Sequence, residues 1–186
     1  MVLLQTRRGM RAARAATVLA LAGVVAGCAS TRPPTPADAA PPAAAAFVIV
    51  RHAEKAGDDP RDPTLSAAGQ ARAQALATAL SDTPLVAAYA TQYRRTQLTA
   101  QPAAQAHGVA LSRYDASEPA DALASRLRVA HAGGTVLVVG HSNTVPALVA
   151  ALCGCAVAPM ADDAFGDLYR VDLARDGRAT LRHGHF

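Results

Sequence analysis

The chain has 186 residues and carries 18 Lys and Arg against 14 Asp and Glu, a formal net charge of +4. Four of the arginines, Arg7, Arg8, Arg11 and Arg14, crowd its start, and without them the two signs balance at 14 each. The basic excess therefore belongs to the N-terminus, and the remainder shows no basic patch with interleaved aromatics, which excludes a nucleic-acid-binding surface.

In chain order, the first element reads as an export signal. The arginines precede an apolar run from Ala15 to Ala26 that is too short to span a bilayer and ends in Val25-Ala26-Gly27-Cys28. That ending resembles the lipobox cut by lipoprotein signal peptidase, so residues 1–27 are expected to be a lipoprotein-type signal peptide and Cys28 the lipidated residue. Met10 is an alternative start to Met1. Thr6-Arg7-Arg8-Gly9-Met10 has faint twin-arginine character but lacks much of that pattern. Ala29 after Cys28 resembles the outer-membrane sorting signal of enteric lipoproteins. The expected location is thus the periplasmic side of a bacterial cell envelope, lipid-anchored, with the outer membrane favoured over the inner. Residues 28–45, rich in Pro and Ala, read as an extended tether, and residues 46–186 as one domain.

Within that domain, strand and helix patterns alternate. A β-branched apolar run, Phe47 to Val50, comes first, and a helix from Ser66 to Leu80 opens on a polar cap. A strand at Val86 to Ala90 precedes a helix from Arg94 to His107, which Gly108 ends as a left-handed cap. Val109 to Ser112 reads as a short third strand. Pro119 starts a helix to Ala130, closed by His131 and Gly133-Gly134, and Thr135 to Val139 forms the next strand. The following helix begins near Asn143 or Thr144, with Pro146 in its first turn. Leu168 to Leu173 and Arg178 to His183, joined through Arg175-Asp176-Gly177, read as a hairpin on the sheet edge. The alternation predicts an α/β fold, a three-layer αβα sandwich around a mostly parallel central sheet.

Two histidines stand where buried strands end: His52 in Arg51-His52, and His141 in Gly140-His141. If the two strands are parallel neighbours, both imidazoles lie in the crevice at the carboxyl edge of the sheet, where open α/β sheets bind ligands. Two histidines and an arginine there suggest phosphate chemistry. The other candidates are plainer. His107 and His131 stand at helix ends, where a partly cationic imidazole suits the helix dipole. His183 and His185 point to one strand face and could clip a metal, although a solvated chain end accounts for them more simply. Cys153 and Cys155, one glycine apart, are free or paired; a bridge across one residue is strained and two cysteines make a poor zinc site, which favours a structural role over a redox pair.

Arg51-His52-Ala53-Glu54-Lys55 after a buried strand is similar to the Arg-His-Gly or Arg-His-Ala signature of the histidine phosphatase superfamily, the phosphoglycerate mutase-like fold. Leu65-Ser66-Ala67-Ala68-Gly69 resembles that family's Leu-Thr/Ser-x-x-Gly element. Thr91-Gln92-Tyr93-Arg94-Arg95-Thr96-Gln97-Leu98-Thr99-Ala100 resembles its Ser-x-x-x-Arg-x-x-x-Thr-Ala helix start, and Val139-Gly140-His141-Ser142 supplies a second histidine. The spacing to Thr99 makes Arg95, rather than Arg94, the pocket arginine.

The resemblance implies a metal-independent phosphatase, needing no cofactor, that hydrolyses phosphomonoesters or other phosphoryl groups of a phosphorylated substrate. The implied catalytic residues are His52, His141, Arg51 and Arg95. His52 would attack phosphorus while its other ring nitrogen donates to a backbone carbonyl, giving a phosphohistidine intermediate. Arg51, Arg95 and His141 would bind the phosphate, the guanidinium planes bidentately. With His52 neutral and His141 protonated, activity would peak where both states coexist. Some branches of the family place an acid directly after the second histidine, but Ser142 and Asn143 follow here, so the general acid is left open among Asp115, Glu118 and Glu54. Glu54 and Lys55 read equally well as a surface ion pair. A phosphomutase and a non-catalytic phosphate-binding envelope lipoprotein are the alternative readings.

Overall fold

The computed structural model describes residues 44–186, so the signal, lipobox and most of the tether lie outside the described residues. Six strands form one sheet: β1 (Ala45–Arg51), β2 (Leu85–Thr91), β3 (Leu111–Tyr114), β4 (Thr135–Gly140), β5 (Asp167–Leu173) and β6 (Ala179–His185). Their order is β3-β2-β4-β1-β5-β6. The first four run parallel and the β5–β6 hairpin joins antiparallel beside β1. The expected sandwich is therefore present.

Burial explains the composition of the central strands. β1 lies between β4 and β5 with helices over both faces, so every residue of Ala-Ala-Phe-Val-Ile-Val-Arg is buried, and the same holds along β4. The two sheet faces bury different sets. Phe47, Ile49, Val136 and Val138 pack with Leu123 and Leu127 of α3 (Ala120–Ala130) and Leu148 and Leu152 of α4 (Val145–Cys153). Val48, Val50, Leu137 and Val139 pack with Leu76 of α1 (Ala67–Ala79) and Ala100 and Ala103 of α2 (Arg94–Ala106). Connections from β1 and β4 thus leave toward opposite faces, and this divergence opens a crevice at the carboxyl ends of these two neighbouring strands.

The glycine of the Leu65–Gly69 element has a steric reason. Ser66 caps α1 by accepting from the Gly69 amide at 3.1 Å, and its own amide donates to the Glu54 carbonyl at 3.0 Å. This seats the first turn of α1 directly on the backbone that follows His52. A Cβ on Gly69 would run into the Glu54 carbonyl oxygen and lie only 3.0 Å from the Glu54 nitrogen.

One sequence expectation is corrected and one left open is decided. β3 starts two residues later than expected because the Val109 amide is spent on Ala104 O at 3.0 Å, closing α2 over Gly108, whose φ is +64°. Cys153 and Cys155 form a disulfide. Gly154 between them caps α4 in the left-handed region at φ +64° and folds the chain back, so the two Cα atoms stand 5.2 Å apart, an ordinary span for a bridge.

Candidate active site

β1 and β4 are in parallel register, with Arg51 beside Gly140, so His52 and His141 leave the sheet side by side. Their ring centroids are 5.3 Å apart. Both are buried, as is Arg51. Arg95 comes from the first turn of α2, its guanidinium lying over the Tyr93 ring at 4.4 Å, while Arg51 lies over Phe165 at 4.2 Å. The four residues line one open cleft of about 510 Å³ together with Lys55, Tyr93, Ser142, Asn143, Asp162 and Phe165. Arg94 points out of the cleft, toward Asp58 and the Asp62 carbonyl, while the Asp62 carboxylate lies 3.8 Å from Arg95 Nη1.

The His52 ring is held in a defined orientation. His52 Nδ1 sits 2.8 Å from the Ala53 carbonyl oxygen, which only accepts, so in the neutral ring Nδ1 carries the proton and Nε2 keeps the lone pair. The Ala53 amide in turn donates to Thr99 Oγ1 at 3.0 Å, which ties the loop after His52 to α2 and gives the threonine of the Arg-x-x-x-Thr spacing its purpose. His141 Nε2 lies 3.0 Å from Thr91 Oγ1, in a buried chain that continues to Thr96 Oγ1 at 2.8 Å. Nδ1 of His141 has no protein partner among the described residues.

The cleft is built for an anion. Arg51, Arg95 and Lys55 face it against the single carboxylate of Asp162. Buried Nε atoms of both Arg51 and Arg95 have no hydrogen-bond partner among the described residues, a costly arrangement that a tetrahedral oxyanion would repair. The amides of Ser142 and Asn143, ahead of α4, also donate to no protein acceptor among the described residues.

Burial and the neighbouring cations set the protonation states. Burial chiefly, with Arg51, Arg95 and Lys55 adding to it and the Ala53 carbonyl opposing, pushes His52 down to about 4. Burial, then Arg95, His52 and Arg51, pushes His141 down to about 3. The expectation of a protonated His141 beside a neutral His52 is therefore corrected for the ligand-free site: both rings are neutral at pH 7, because burial and the neighbouring cations disfavour a further positive charge. Histidine NMR of the free protein should show neither ring titrating between pH 8 and 5.5, against an ordinary value near 6.5. The linked effect on stability has a definite sign. Unfolded imidazoles take protons near 6.5 and the folded ones only near 4 and 3, so stability is fully present above about pH 6.5 and is lost as the pH falls through 4. A melting temperature that stayed constant from pH 7 to 4 would contradict this.

None of the three acids nominated from sequence lines the cleft. Glu54 accepts both Nε and Nη2 of Arg72, at 2.9 and 2.6 Å, because α1 packs over it. Glu118 pairs with Arg126 on α3 at 2.7 Å and borders a small apolar pocket next to the cleft. Asp115 accepts from its own turn, at Ser117 Oγ, 2.7 Å. The ion pair expected between Glu54 and Lys55 is replaced by this Arg72 pair. The carboxylate that the fold brings in is Asp162, from the coil between α4 and β5. Arg51 Nη1 donates to the carbonyls of Ala161 and Asp162 at 3.1 and 2.7 Å, and Ser142 Oγ donates to Asp162 Oδ1 at 3.2 Å. No local motif marks Asp162, since its place depends on Arg51, 111 residues earlier.

The remaining histidines have structural partners. His131 Nε2 lies 2.9 Å from Tyr89 Oη, and burial lowers its pKa, contrary to the cationic cap expected of it. His107 donates from Nε2 to Leu80 O at 3.0 Å.

Comparison with known proteins bears on this cleft directly. Residues 47–117 match the family model of the histidine phosphatase superfamily, branch 1. The matched stretch carries Arg51, His52 and Arg95, and His141 lies beyond it. No curated protein sequence matches the chain. Among solved structures, the protein histidine phosphatase SixA complexed with tungstate is similar at a TM-score of 0.60 and 19% identity, over 75% of this chain and 96% of that one. A mycobacterial glucosyl-3-phosphoglycerate phosphatase is similar at 0.59 and 15% identity, over 76% and 97%. These likenesses show the fold, a phosphoglycerate mutase-like α/β sandwich.

Proposed function

We propose that this domain is a metal-independent histidine phosphatase that hydrolyses phosphomonoesters or other phosphoryl groups through a phosphohistidine on His52. The observation that carries the reading is the pairing of a buried neutral imidazole, its Nε2 free, with two arginines whose buried Nε atoms lack partners. Catalysis of phosphoryl transfer is mostly positioning and charge neutralisation, and this cleft supplies both.

Arg51 and Arg95 grip the phosphoryl oxygens. His52 Nε2 attacks phosphorus in line with the leaving oxygen, and the positive charge that develops on its ring is held by the Nδ1–H bond to Ala53 O. His141 donates to a phosphoryl oxygen, since binding a dianion raises its proton affinity and offsets the two arginines. Water then attacks the phosphohistidine and releases phosphate, regenerating His52. The SixA name and the tungstate in its structure support an oxyanion and phosphoryl chemistry for this fold.

Phosphate release from p-nitrophenyl phosphate by the full chain tests the reading. Turnover is expected to survive EDTA. Tight phosphate binding with no turnover and no trapped phosphohistidine would instead favour the binding-protein reading, and an isomeric phosphate ester formed without free phosphate would favour a mutase.

Asp162 is the group we assign to leaving-group protonation, because it is the only carboxylate lining the cleft among the described residues. Asp162→Asn should slow hydrolysis of an alkyl phosphate about 100-fold and leave p-nitrophenyl phosphate nearly unaffected, since nitrophenolate departs without a proton. Equal losses on both substrates would remove Asp162 from that role.

Attachment to the cell envelope through a lipid on Cys28 is part of the same proposal. The Cys153–Cys155 disulfide supports an oxidising compartment on the periplasmic side. No helix among the described residues is long and apolar enough to cross a membrane.

A further inference from the structure

A second histidine cluster lies on the β5–β6 hairpin, outside the residues that line the cleft. β6 is the edge of the sheet and pairs only with β5. The ladder sets Asp167 opposite His185 and Tyr169 opposite His183. Side chains alternate along a strand, so these four residues share one face.

The three titratable groups converge. Asp167 Oδ1 lies 2.9 Å from His185 Nδ1 and 3.4 Å from His183 Nε2, and one ligand atom from each residue falls within 4.8 Å of the others. The His183 ring lies flat on Tyr169, with centroids 4.4 Å apart and planes within 3°, and Tyr169 is buried. One ligand ring is thereby held in place by the core. Asp167 is also constrained, its side chain only 14% exposed, while the outer sides of both imidazoles remain open to solvent.

We propose that Asp167, His183 and His185 bind a borderline divalent transition metal, with Zn²⁺ as the expected ion. Metal–ligand bonds of about 2.0–2.1 Å in a tetrahedral site put ligand atoms roughly 3.4 Å apart, close to the spacings already present. Two imidazoles and one carboxylate suit Zn²⁺, Co²⁺ or Ni²⁺ rather than Mg²⁺ or Ca²⁺, which take oxygen ligands. Three protein ligands leave a position for water. The ion would tie the edge strand to β5 at Asp167, two residues after the Phe165 that covers Arg51. It takes no part in the hydrolysis proposed above, and the inference does not depend on that reading.

The test is calorimetric titration of the full chain with Zn²⁺, paired with thermal unfolding at each metal concentration. One equivalent should bind and raise the melting temperature. His185→Ala, at an exposed position, should weaken binding at least tenfold and abolish the thermal shift, and Asp167→Asn should do the same. His52→Ala should retain both effects. Absence of Zn²⁺ uptake by the wild-type chain would overturn the proposal, leaving the cluster as hydrogen bonds to a carboxylate. So would uptake that His52→Ala abolishes and His185→Ala preserves, because the ion would then sit on the two cleft imidazoles.

Discussion

His52→Ala should reduce p-nitrophenyl phosphate turnover by about 10⁴-fold or more, since it removes the atom proposed to bond to phosphorus and leaves the cleft without a replacement for it. The other imidazole of the cleft, His141, is tied through Nε2 to Thr91 and is assigned to hold a phosphoryl oxygen, and the arginines offer no lone pair. The variant should still fold. His52 lies at the rim of the core, and the ties that hold its loop, from Ala53 N to Thr99 and from Ser66 N to Glu54, run through the backbone. It should also still bind phosphate, because Arg51 and Arg95 remain. Folded protein with phosphate affinity, no turnover and no phosphohistidine on neutral trapping is the expected set of results. Substantial residual turnover by a folded variant would mean that another group, or water directly, attacks phosphorus.

Gly69→Ala is expected to cost stability on a scale unusual for one methyl group. The added carbon meets backbone, not a side chain that could swing away: the Glu54 carbonyl oxygen first, then its nitrogen. Relief requires α1 to back off from the loop, which breaks the Ser66–Glu54 bond and tilts the helix that carries Arg72 to Glu54. Overpacking against immovable atoms costs about 3 kcal/mol, which for a domain of this size lowers the melting temperature by on the order of 10 °C. The same shift moves the segment after His52, so kcat should fall along with stability. A variant with an unchanged melting curve would show that α1 sits further from the loop than the structure places it.

Both expectations concern residues that were legible in the sequence, and legibility had a common cause. Arg51, His52, Gly69, Arg95, Thr99 and His141 each sit at a fixed offset from a strand end or a helix start. Local rules, a buried apolar run ahead of each histidine and a capping serine, place His52, His141 and the start of α1, whereas Gly69, Arg95 and Thr99 were marked by the resemblance of their motifs. The strand pattern also showed β1 and β4 to be buried throughout, and an all-apolar strand demands a neighbour on each side and a helix on each face.

Other features depended on contacts between distant segments. Asp162 follows α4 in a coil without a motif, and the two carbonyls that Arg51 draws in, with the Ser142 hydroxyl, bring its carboxylate to the cleft. Glu54, adjacent in sequence to the nucleophile loop, is claimed by Arg72 from α1, 18 positions away. The charge of His141 could not be read from its neighbours in the chain. It is set by burial and by Arg95, which arrives on a different helix.

The sequence by itself determined the layers and the strand-to-helix order, because apolar periodicity and caps are local and act over a few residues, and the resemblance of its motifs pointed to the residues that line the cleft. The tertiary structure decided which carboxylate faces the cleft, which charges are tolerated there and which histidines on the edge hairpin meet an aspartate. Those outcomes turn on desolvation and on distances between segments far apart in the chain, and neither quantity is written in local spacing.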